Sequence, residues 1–70
     1  MQTVIETFDS LVKARRHREV LAASKHARYD IAADAYVYRE DGKILWLRVR
    51  KVTDKYLYEV VCQGGERNAE

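Results

Sequence analysis

The dipeptide Asp41-Gly42 constrains this chain more than any other feature. It separates two runs, residues 31–39 and 44–52, that are rich in Val, Ile, Leu and Tyr. Both central residues of a type I′ turn need positive φ, which Gly adopts freely and Asp tolerates. Asp-Gly between two such runs therefore predicts a β-hairpin. A third run of the same character, residues 56–62, follows a weaker turn signal at Thr53-Asp54. The expectation is a three-stranded antiparallel meander in the order 1-2-3, with residues 44–52 in the centre.

The turns fix a register. A turn at Asp41-Gly42 pairs Glu40 with Lys43, Tyr38 with Leu45, Val37 with Trp46 and Tyr36 with Leu47. A short turn at Thr53-Asp54 pairs Val49 with Tyr58, Arg48 with Glu59, Leu47 with Val60 and Leu45 with Cys62. Side chains alternate with period two, so a shift by one residue would exchange the faces of a strand. In this register both hairpins select one apolar face: Tyr36, Tyr38, Leu45, Leu47, Val49, Tyr58, Val60 and Cys62. The opposite face carries Ala35, Val37, Arg39, Ile44, Trp46, Arg48, Arg50, Leu57, Glu59 and Val61.

The first part of the chain reads as helical. Thr3-Val4-Ile5-Glu6 has the form of a capping box, and Ile5, Phe8, Leu11 and Val12 recur at helical spacing. One long helix over residues 3–27, bent near Arg16-His17-Arg18, or two short helices would cover the apolar face of the sheet. The expected whole is an α+β domain over residues 1–62 with a flexible tail over residues 63–70.

A chain of 70 residues buries only about 60% of its unfolded surface, so its core is thin. The single cysteine, Cys62, leaves no internal disulfide to reinforce it. No apolar run reaches membrane length, and Met1-Gln2-Thr3-Val4-Ile5-Glu6 does not read as a signal peptide, which points to a cytoplasmic protein.

Catalytic signatures are absent from the sequence. His17 and His26 lack the spacing of a helical metal pair, Cys62 falls on the core face, and no nucleophile elbow surrounds Ser10 or Ser24. The expectation is a non-enzymatic protein with no cofactor and no metal. The tyrosines at 36, 38 and 58 read as packing, with hydroxyls reaching the rim.

Two clusters could meet a partner. The first is the sheet face bearing Trp46, Arg48, Arg50, Arg39, Val37, Leu57 and Val61, because Trp and Arg are enriched in interface hot spots. The bland reading is that part of the chain folds over it. The second is Lys13, Arg15, Arg16 and Arg18, an electrostatic or nucleic-acid candidate. There the bland reading is a solvated helix with ion pairs such as Arg15–Glu19.

The leading expectation is a binding protein that docks on a protein or nucleoprotein complex. Small inhibitors of host machinery carried by phage and mobile elements, anti-CRISPR proteins among them, act in this way. The first alternative is a nucleic-acid-binding protein that joins the basic helix to the Trp/Arg sheet face, and a homodimer is a further expectation. A second alternative is a small ribonuclease toxin of the RelE/ParE type, which also places helices before an antiparallel sheet with basic residues. By this sequence reading the chain lacks the leading strand of those toxins, and none of their motif residues is matched.

Overall fold

The computed structural model describes residues 2–64. They form strand β1 (Gln2–Phe8), helix α1 (Leu11–Ser24) and strands β2 (Arg28–Asp30), β3 (Ala35–Glu40), β4 (Lys43–Lys51) and β5 (Tyr58–Gly64). All neighbouring strands are antiparallel, in the order β1-β5-β4-β3-β2. α1 packs on one face of this sheet. The domain is α+β, as the sequence predicts, but the sheet has five strands and one helix follows an N-terminal strand.

The largest correction concerns the N-terminus. Residues expected to begin a helix form β1 instead, hydrogen-bonded to β5 from Gln2↔Gln63 to Phe8↔Tyr58. Thr3, Val4, Ile5 and Thr7 are β-branched and fit a pleated strand better than a helix. The helix starts after Ser10, whose Oγ accepts from the Lys13 backbone N–H at 3.4 Å. Ser10 is therefore the N-cap, and Thr3 and Glu6 do not form a capping box. The stripe read from Ile5 to Val12 is divided between two elements, and Val12 is 64% exposed.

The sheet-facing side of α1 carries Leu11, Ala14, Arg18, Leu21 and Ala22. Ala14 and Ala22 are buried, and their small side chains bring the helix backbone close to the sheet. The helix ends three residues before the expected boundary, without Gly or Pro. Lys25 is the C-cap and His26 adopts φ 55°. The His26 N–H donates to the Ala23 carbonyl at 3.2 Å and the Ala27 N–H to the Ala22 carbonyl at 2.9 Å. These are the two bonds of a Schellman motif, with His26 in the left-handed position that glycine usually fills.

The expected strand over residues 31–39 begins only at Ala35, as β3, and an unforeseen strand, β2, precedes it. β2 and β3 form a hairpin closed by a turn over residues 31–34, in which Asp34 has φ 51°. The β3–β4 hairpin follows the predicted register, from Glu40↔Lys43 to Tyr36↔Leu47. Asp41 and Gly42 both have positive φ, 54° and 77°, as a type I′ turn requires.

The β4–β5 connection is longer than expected. It spans residues 52–57, and the Val52 N–H donates to the Leu57 carbonyl at 2.9 Å. The pairs are therefore Val49↔Val60, Arg50↔Glu59, Leu47↔Cys62 and Leu45↔Gly64, each shifted by two residues from the expectation. An even shift leaves every side chain on its face, so the face assignment is preserved. β5 runs on through Gln63 and Gly64; the remainder of the expected tail lies outside the described residues.

The helix covers the face predicted to be the core. Leu47 and Val60 are its most buried large side chains, and Tyr38 donates to or accepts from Cys62 at 3.5 Å. Burial, then this bond, pushes the Tyr38 phenol well above its ordinary value. No helix among the described residues is long and apolar enough to cross a membrane.

Candidate interaction surface

Among the described residues no helix covers the face of the sheet away from α1. The side chains of this face fall into rows because directly paired residues of antiparallel strands point the same way. One row crosses all five strands: Arg28, Val37, Trp46, Gln63 and Gln2, through the pairs Arg28↔Val37, Val37↔Trp46, Trp46↔Gln63 and Gln63↔Gln2. At a strand spacing of about 4.8 Å it is roughly 19 Å long. Arg39 and Ile44 pair beyond it toward the Asp41-Gly42 turn. On the other side the next row holds Asp30 and Ala35, then Arg48, Val61 and Val4.

Trp46 sits at the centre of this face and is half-buried. The Arg48 guanidinium lies 5.8 Å from its ring centroid, within cation–π range. Arg48 has no carboxylate partner among the described residues, and its buried Nε has no hydrogen-bond acceptor. Arg48 stands in one row with its pair-mate Val61 and with Ala35, both buried, where a long side chain shields small neighbours. A depression of about 570 Å³ opens beside Trp46, lined by Arg28, Tyr29, Asp30, Ile31 and Val37.

The structure brings Val37, Trp46, Arg48 and Arg39 together as the sequence predicts. Arg50 shares the face but is engaged: its Nη2 lies 2.6 Å from Glu59 Oε1, and its Nε donates to the same oxygen at 3.2 Å. Val61 is only 2% exposed, so it supports the surface from below and offers no contact area. Leu57 lies in the loop before β5. The sequence reading missed Arg28, Gln63 and Gln2 because it assigned them to no strand; the pairing of β1 and β2 recruits them.

The basic helix cluster lies on the opposite side of the sheet, so the composite surface joining it to Trp46 and Arg48 does not form. Lys13 pairs with Asp9 at 3.2 Å, and Arg15 and Arg16 are exposed on α1. Arg18 is no surface group at all, at 5% exposure. Its guanidinium lies 5.2 Å from the Tyr36 ring and 5.9 Å from the Tyr29 ring. Its Nη1 donates to the Asp34 carbonyl at 3.0 Å and to Asp34 Oδ1 at 3.4 Å. Tyr29 donates its hydroxyl to the same carboxylate at 2.7 Å. That bond, then Arg18, holds the Asp34 carboxyl below its ordinary value, and the same bond, against the opposing pull of Arg18, raises the Tyr29 phenol. Arg18 thus anchors the β2–β3 turn.

Other chemistry is sparse. His17 lies between Glu6, at 3.7 Å, and the Phe8 ring, at 5.2 Å between centroids. Among the described residues no group of three or more His, Cys, Asp or Glu side chains is placed to hold a metal ion. At the β1 edge Val4 and Ile5 are exposed, but a bulge between Val4 and Glu6 interrupts the ladder, which discourages pairing with another strand. Comparison with protein-family models, characterised proteins and solved structures finds no match.

Proposed function

We propose that this chain is a small non-enzymatic docking protein that meets a protein or nucleoprotein partner with the uncovered face of its sheet. The observation that carries this reading is Trp46 with Arg48 over its ring, central on a face that no helix among the described residues covers. Both residue types dominate binding energy where interfaces have been dissected, and a central position lets neighbours exclude water around them. A protein that works this way acts by occupying a surface, as small inhibitors of host machinery do. The test is capture with tagged protein, with and without nuclease treatment. Wild type should retain a specific macromolecule that Trp46→Ala and Arg48→Ala both lose, with unchanged circular dichroism. Equal capture by both variants would remove the sheet face from the function.

One observation favours a second reading. β1 supplies the leading strand that the sequence reading found missing, so that difference from the RelE/ParE-type ribonuclease toxins no longer holds. No motif residue of that family has been matched. Incubation of the protein with structured and single-stranded RNA decides the matter: time-dependent cleavage that survives purification supports a ribonuclease, and intact RNA excludes it.

A further inference from the structure

The uncovered face is not electrically uniform, and the difference points to a partner. Among the described residues its acids are Asp30 and Glu59, and Glu59 is neutralised by Arg50 at 2.6 Å. The row through Trp46 and the Arg39–Ile44 pair beyond it contain no acid at all. Around the indole stand Arg28, Arg39 and Arg48, none of which has an ion-pair partner among the described residues. Gln63 continues the row with a side-chain amide, which both donates and accepts, and the Gln2 amide beyond it faces the Arg50 guanidinium.

We infer that this row binds single-stranded nucleic acid, with a base stacked on Trp46 and phosphates on Arg28, Arg39 and Arg48. The inference rests on the proposed docking role of the same face and names its partner. Stacking on an aromatic platform within a cationic track is the usual means of holding a single strand. An arginine guanidinium suits phosphate because its donors form a planar fork. The excess of arginine over acid here is complementary to a polyanion, and a duplex would hide the base faces that Trp46 needs.

Trp46 is the sole tryptophan of the chain, so its fluorescence reports directly on this face. The test titrates the protein with oligothymidylate, oligouridylate, oligoadenylate and a duplex of matched length at low salt. Single strands should quench Trp46 and the duplex should bind more weakly. Parallel titrations of DNA and RNA of the same sequence identify which backbone is preferred. With three phosphate contacts, the slope of log affinity against log salt is about −2, a loss of roughly twentyfold between about 50 and 200 mM.

Labelled-oligonucleotide anisotropy then follows the variants. Trp46→Ala should lose roughly tenfold to a hundredfold in affinity. Trp46→Phe keeps a stacking ring and should lose less, which separates stacking from damage to the fold. Arg28→Ala and Arg39→Ala, both exposed, should each weaken binding and lower the salt slope by about 0.7. Arg15→Ala on α1 should leave affinity within about twofold, since it lies outside the row.

Absence of quenching by every oligonucleotide at low salt overturns the inference, as does equal loss of affinity in Arg15→Ala and Arg28→Ala. If oligonucleotides fail while wild type, but not Trp46→Ala, captures a protein that survives nuclease treatment, the docking role stands and this choice of partner falls. If oligonucleotides bind and Trp46→Ala and Arg28→Ala bind equally well, both readings of this face fall together.

Discussion

The two faces of the sheet each carry an arginine stacked on aromatic rings, and the pair behave differently. Arg18, on the sheet-facing side of α1, lies against the Tyr29 and Tyr36 rings, and its Nη1 donates to the backbone carbonyl and carboxylate of Asp34, while its buried Nε has no acceptor. Arg48 lies on the uncovered face over Trp46; its Nε is likewise without an acceptor, and it differs from Arg18 in having no carboxylate partner among the described residues. The covered arginine ties the β2–β3 turn to the helix. The uncovered one has no ion pair among the described residues and is the one assigned to the proposed partner. Position in a basic sequence cluster says nothing about this difference; the partners each guanidinium finds decide it.

Arg18→Ala gives the sharpest break and should cost about 3 kcal/mol. The variant loses a charged hydrogen bond to the Asp34 carbonyl, two cation–π contacts and the packing of a buried stem. Chemical denaturation would measure the loss, and hydrogen exchange should place its largest effect in β2 and the turn over residues 31–34. A cost below about 1 kcal/mol would mean that Arg18 is a passive filler and that the two arginines differ only in exposure.

The effect of Asp34→Asn should be smaller, about 1 kcal/mol, because the Asp34 side chain is largely exposed and solvent screens it. Asn tolerates the left-handed backbone at this position, so the change isolates the charge. The carboxyl has a lowered pKa in the folded protein, so its contribution is present above the unfolded value of about 3.8 and lost as pH falls through the folded one. Wild type should therefore lose stability below about pH 4 more steeply than Asp34→Asn. A thermal-melt series across acid pH would show it, and parallel curves would refute it.

Tyr38 titrates at the other end of the scale. Its folded pKa is raised, first by burial, so the neutral phenol supports the fold and that support is full below about pH 10. It is lost as pH rises above the unfolded value of 10.0 toward the folded one. Tyr38→Phe should cost no more than about 1 kcal/mol at neutral pH. It should also flatten the alkaline limb of the melt series, and an unchanged limb would place the sensitivity in another group.

These contrasts show how much a local reading can reach. The β3–β4 hairpin was legible because its information is local: Asp41-Gly42 sets the turn, and alternation sets the faces. The β4–β5 pairs shifted by two because Thr53-Asp54 is a weak turn, but parity protected the faces, so Trp46 and Arg48 still came out opposite Leu47. β1 was not legible. Its partner lies at the far end of the chain, in pairs such as Gln2↔Gln63, and Thr3-x-x-Glu6 imitates a helix start. The helix end was hidden for a related reason, since His26 takes a left-handed role usually marked by Gly. Burial of Arg18 depended on Tyr29 and Asp34, which only the unforeseen β2–β3 hairpin brings to it.

The smallest expected effect on stability is the most informative about Arg48. Its Nε is removed from water without an acceptor, a cost that the cation–π contact with Trp46 offsets only in part. Among the described residues no acid loses a partner when the Arg48 guanidinium is removed, whereas removal of Arg18 leaves Asp34 with its Tyr29 bond alone. Arg48→Met keeps an unbranched stem in the row with Val61 and Ala35 and deletes the charge. Stability should change by no more than about 0.5 kcal/mol in either direction. On the proposed docking role, binding through the uncovered face should nonetheless weaken. Denaturation and oligonucleotide titration of this one variant separate the outcomes. A destabilisation above about 2 kcal/mol would make Arg48 a structural counterpart of Arg18 and leave the two faces alike in kind.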